Sequence, residues 1–137
     1  MKNIKQYYKE LGKIVYAVAI TDGTIKPEEV EALHEFVIRN LANYELSTDS
    51  SGMNKAFYVD FEFENSVETH LNIETAIRSF ARFIHVNYEK GDELLLQHSY
   101  KLIEKVADAY SREKEKEVVL KVKSGIDQIS KNILLNI

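Results

Sequence analysis

The stretch Tyr16-Ala-Val-Ala-Ile20-Thr-Asp22-Gly23-Thr-Ile25-Lys-Pro27-Glu28-Glu29-Val30-Glu-Ala-Leu33-His-Glu-Phe36 decides the fold class. It reads as the end of one amphipathic helix, a glycine turn carrying an aspartate, and a second helix with an acidic first turn. Glycine tolerates positive φ and Asp-Gly is a common turn pair, so Gly23 ends the first helix. Pro27 suits the first position of the next, where a missing N–H costs nothing, and Glu28 and Glu29 complement the positive end of its dipole.

The pattern continues outward from this corner. Upstream, Ile4, Tyr8, Leu11, Val15 and Val18 recur at spacings of three and four beside a stripe of Lys2, Lys5, Lys9 and Lys13, which predicts a helix over 2–20. Downstream, Val30, Leu33, Val37 and Leu41 carry the second helix to Asn43. Ser47-Thr-Asp-Ser-Ser-Gly52 reads as a loop. Phe57, Val59, Phe61 and Phe63 alternate like a strand, yet Met53, Phe57 and Phe61 also fit a helix. A lone strand needs a partner and no second strand-like segment supplies one, so the spacing predicts a helix over 54–65. Asn72 is placed to cap a helix over 73–88 with Ile73, Ile77, Phe80, Ile84 and Tyr88 inward. Gly91 breaks it, and Asp92 opens another with Leu95, Leu102, Val106 and Tyr110 inward. A last helix over 113–134 has Val119, Val122, Ile126, Ile129 and Ile133 on its core side. The expectation is all-α, a single compact domain of six helices over residues 1–137.

Composition narrows the function classes. A 137-residue chain that is 45% hydrophobic can build a core without staples, and it has no cysteines to make any. A net charge of −4 gives no electrostatic reason to expect nucleic-acid binding. Residues 45–74 are markedly acidic, with Glu45, Asp49, Asp60, Glu62, Glu64, Glu68 and Glu74 against Lys55. The polar start and the short apolar run Ile14–Ile20 argue against a secretory signal or membrane insertion, and point to the cytoplasm.

Gly23-x-Ile25-x-x-x-Glu29 matches the second half of an EF-hand loop, but Val18 and Ile20 stand where the first oxygen ligands belong, so no EF-hand forms. What survives is a tight turn, an aliphatic anchor and a carboxylate delivered by a helix start. Asp22 and Glu29, helped by Glu28, are the candidate oxygen ligands for a divalent cation (Ca²⁺, Mg²⁺ or Mn²⁺). Asp108 and Glu115 repeat the Asp22–Glu29 separation near the end of the chain as weaker second-site candidates, with Ala109 in place of the glycine. That echo makes a degenerate two-fold pseudo-repeat one reading of the scaffold. In the alternative, these carboxylates only cap and turn the chain.

The Asp22-Gly23 turn with Glu29 opening the next helix resembles the tellurite-resistance TerB-like family. The resemblance covers 14–36 well and 103–120 weakly, and Thr21 stands where that family usually has alanine. It implies an all-helical, stress-associated domain whose acidic residues bind divalent metal, with no defined reaction.

Other chemistry finds little support. Glu31-x-x-His34 has the spacing of half a carboxylate-bridged di-iron site, but no second such motif exists, and His34 reads as a solvated or corner histidine. His70, His85 and His98 fall at unrelated spacings. No Gly-x-Ser-x-Gly elbow, phosphate loop or small-molecule substrate site is apparent. The aromatics around 57–63, rimmed by Asp60, Glu62 and Glu64, form a candidate patch for a protein partner or a homodimer. Two non-enzymatic functions follow: a metal-responsive TerB-like module, or a protein-interaction and oligomerisation domain in which the Asp-Gly corner is purely structural.

Overall fold

A computed structural model describes residues 1–21, 23–109 and 120. Within them the chain forms five helices and no strand, so the all-α expectation holds. They are α1 (Ile4–Ala19), α2 (Pro27–Phe36), α3 (Tyr58–Thr69), α4 (Ile73–Asn87) and α5 (Glu93–Asp108). A π-helical turn (Val37–Leu41) and a short α-turn (Ala42–Tyr44) continue α2. The expected sixth helix and Tyr110 lie outside the described residues, Leu120 apart. No helix among the described residues is long and apolar enough to cross a membrane.

α1 is the central element. Its lysine stripe covers only the first turns; from Leu11 onward nearly every side chain is buried, because α3, α4 and α5 all pack against it. α2 instead packs on α5. The α1–α3 seam depends on Gly12. A Cβ there would meet the Val59 carbonyl oxygen at 2.5 Å, Glu62 Cβ at 3.0 Å and Phe63 N at 3.1 Å, so only glycine lets the two backbones approach. Nothing in the spacing of apolar residues announced that contact.

Two tyrosines at the start of α1 bring polar groups into the core. Tyr7 pairs its hydroxyl with Ser99, whose Oγ in turn donates to the Leu95 carbonyl at 2.8 Å. Tyr8 donates to Glu45 Oε1 at 2.7 Å. Burial holds both phenols well above the ordinary tyrosine value.

The strand-or-helix question over 54–65 resolves as helix. Asn54 accepts from Ala56 N at 2.9 Å, a 3-10 turn (Lys55–Phe57) follows, and α3 runs on to Thr69. Val59 and Phe63, four residues apart, face inward, while Phe61 is 48% exposed. The preceding loop is organised by Asp49, which accepts from Ser51 N, Ser51 Oγ and Met53 N, and from Tyr58 Oη at 2.5 Å. Those donors hold its carboxyl well below the usual carboxylate range. Asn72 caps α4 as expected, accepting from Thr75 N at 3.1 Å.

Candidate functional site

The Asp-Gly corner is built from α1's end and α2's start. Gly23 has φ 96° and donates its N–H to the Ile20 carbonyl at 2.8 Å, which turns the chain out of α1. Ile25 packs against the core as the anchor. Pro27 sits in the first turn of α2 as the sequence predicts. Glu29 is fully buried, and its Oε1 accepts the Lys26 backbone N–H at 2.8 Å. This is the reach-back half of a capping box, made by the third helical residue to the N-cap. Glu28, one position earlier, is exposed. Asp22 lies outside the described residues.

The second corner differs in backbone as well as sequence. Asp108 is exposed at the C-terminal end of α5, and Ala109 remains right-handed at φ −57° where Gly23 is left-handed. Asp108 lines a cleft of about 420 Å³ with Lys105, Ala32, Glu35, Phe36 and Arg39. Glu115 lies outside the described residues. Among the described residues, no group of three or more His, Asp or Glu side chains is placed to hold a metal ion.

A different arrangement emerges between α2 and α3. His34 Nδ1 and Asp60 Oδ1 are hydrogen-bonded at 2.7 Å, and this pair bridges the two helices. Burial pushes the Asp60 carboxyl above its ordinary value, the His34 contact pulls it partly back, and Glu64 adds a smaller upward push. Beside His34, Pro27, Val30 and Ile38 line a trough of about 750 Å³ with Glu31, Glu35 and Arg39, all from α2 and the turn that continues it. Val30, His34, Phe63 and Val67 line a hollow of about 270 Å³ between α2 and α3, with Glu64 and Glu68. Trough and hollow adjoin at Val30 and His34, and together they make the groove.

Helical spacing explains the groove's two walls. Asp60, Phe63, Glu64, Val67 and Glu68 fall at steps of three and four and share a face of α3; Val30 and His34 do the same on α2, and Ile38 follows in the π-helical turn that continues it. Ile38 is 58% exposed and Val67 is 37% exposed. The patch expected at 57–63 is thus divided. Phe61 packs edge-on against Tyr58, whose ring lies under Lys5 and Lys9, whereas Phe63 is buried at the groove's base.

Comparison with protein-family models, curated proteins and solved structures gives no match.

Proposed function

We propose that this chain is a non-enzymatic protein-interaction module, on the TerB-like scaffold expected from residues 14–36, that binds through the α2–α3 groove. The supporting observation is the groove itself: exposed Ile38 in the trough and Val67 in the hollow that adjoins it at His34, with Glu31 and Glu35 lining the one and Glu64 and Glu68 the other. The Asp-Gly corner serves the fold in this reading. Its buried glutamate already accepts a backbone N–H, and Glu28 points into solvent.

Site-specific photocrosslinking tests the proposal. A benzophenone side chain at Ile38 or Val67 in the full chain is expected to form adducts with a discrete polypeptide in the cell. The same probe at Val86, an exposed apolar residue of α4, is expected to form none. Equal labelling at all three positions, or none at the groove, would overturn the reading. The corner has its own check: thermal unfolding with added Ca²⁺, Mg²⁺ or Mn²⁺ is expected to match unfolding in chelator. A cation-dependent rise that Asp22→Ala and Glu29→Gln both abolish would restore the metal module, because a ligand that binds the folded state raises its stability.

A further inference from the structure

The groove's edge has a charge that selects its occupant. Four glutamates border it, Glu31 and Glu35 on α2 and Glu64 and Glu68 on α3, and all four are exposed. Against them, among the described residues lining the groove, stands the guanidinium of Arg39, 3.3 Å from Glu35. His34, which lines both parts of the groove, is engaged by Asp60. The apolar strip between the edges runs from Pro27 through Val30 and Ile38 to Phe63 and Val67. In the hollow both walls are helices, which favours a third helix as the complementary shape.

From this geometry, and resting on the interaction reading above, we propose that the groove receives an amphipathic helix of another polypeptide. That helix places aliphatic residues on the Val30–Ile38–Val67 strip and carries lysine or arginine along both flanks. Aliphatic contact supplies the affinity, and the paired rows of glutamates set the sign of the partner's charge and its rate of encounter. An acidic helix is rejected by the same rows, since like charges brought together across an interface oppose binding.

The test uses the full chain and two fluorescently labelled helical peptides, one built of leucine and lysine and one with every lysine replaced by glutamate. Anisotropy titration should show binding of the lysine peptide and none of the glutamate peptide, with affinity falling as salt is raised. Ile38→Asp should weaken the lysine peptide about ten-fold or more, the range expected for losing a central contact; Glu64→Gln with Glu68→Gln should slow its association several-fold and flatten the salt dependence, as loss of edge charges does. Glu93→Gln with Glu104→Gln, which removes the same charge from exposed positions of α5, should leave it unchanged.

Equal weakening by the α5 pair would overturn the proposal by reducing the attraction to overall charge. Preferential binding of the glutamate peptide would overturn the assigned partner chemistry. Failure of the lysine peptide together with specific crosslinking from Ile38 would reject the basic partner and leave the groove reading standing; failure of both would remove the two together. A zero-length carbodiimide crosslink from Glu64 or Glu68 to Lys121, Lys123 or Lys131 of the same chain would also overturn it. A concentration-dependent mass lost in Ile38→Asp would assign the groove to a second copy instead.

Discussion

At the α1–α2 corner Glu29 is withdrawn from solvent and bonded to a backbone N–H, whereas along the α2–α3 groove four glutamates stand in water with apolar surface between them. Both regions are acidic, and both use the same helix α2. The difference is what each carboxylate does. At Glu29 one carboxylate oxygen is engaged by a backbone N–H, and in the interaction reading that bond serves the fold. An exposed row keeps its charge available to whatever approaches. Acidic residues at a helix start are therefore weaker evidence of a ligand than acidic residues beside unfilled apolar surface.

The sharpest way to break this comparison is to damage one region without the other. Gly12→Ala puts a methyl group against the Val59 backbone carbonyl and should push α3 off α1, shifting one wall of the groove. We expect a loss of about 2–3 kcal/mol in denaturant unfolding, in the range of overpacked cores, exceeding the roughly 1 kcal/mol that alanine gains over glycine in a helix. Amide shifts should concentrate in α3 and leave Gly23 to Val30 close to their wild-type positions. A neutral substitution would mean that the seam is looser than the close approach implies.

A smaller effect is expected at the corner. Glu29→Ala removes the acceptor for Lys26 N–H and should cost about 1–2 kcal/mol, as lost caps do. Glu29→Gln keeps a side-chain oxygen within reach and should lose less. If Glu29 instead served a cation, neutralising it would be as damaging as truncating it, and the two variants would coincide in cation-containing buffer. Thermal unfolding of the pair, with and without chelator, separates the two roles.

These two sites also show what the sequence could carry. The corner was legible because its determinants are local: Gly23, Pro27 and the acidic first turn lie within a few residues, and each acts through backbone geometry or a helix end. The five helices were legible for the same reason, through apolar spacing and caps such as Asn72. The end of α3 at Thr69, beyond the expected 65, was not, because Val67, Glu68 and Thr69 are exposed and contribute no core periodicity. The groove was only half legible. The face shared by Asp60, Glu64 and Glu68 can be read from helical steps, but the pairing of Asp60 with His34, twenty-six positions away, depends on how α2, packed on α5, comes to lie beside α3, packed on α1. Gly12 was invisible, since a glycine within an amphipathic pattern gives no sign of which backbone it meets.

The smallest expected effect tests the bridge that joins the groove's walls. Burial raises the Asp60 carboxyl above its ordinary value of 3.8 even though His34 opposes the shift. A raised folded-state pKa means that the native protein holds this proton more tightly than the unfolded chain does. The stability so gained is full below pH 3.8 and is lost as pH rises through the folded pKa, leaving an ionised, mostly buried carboxylate above it. Asp60→Asn has no proton to lose there. The thermal midpoint of the variant, relative to wild type, should therefore rise as pH is increased from 3.8 to about 5.5, a window below the ordinary histidine range. A difference that stays flat, or falls, would show that the His34 contact outweighs burial. The pair would then be a net clamp between α2 and α3, where the raised carboxyl implies a bridge that the groove's partner could loosen.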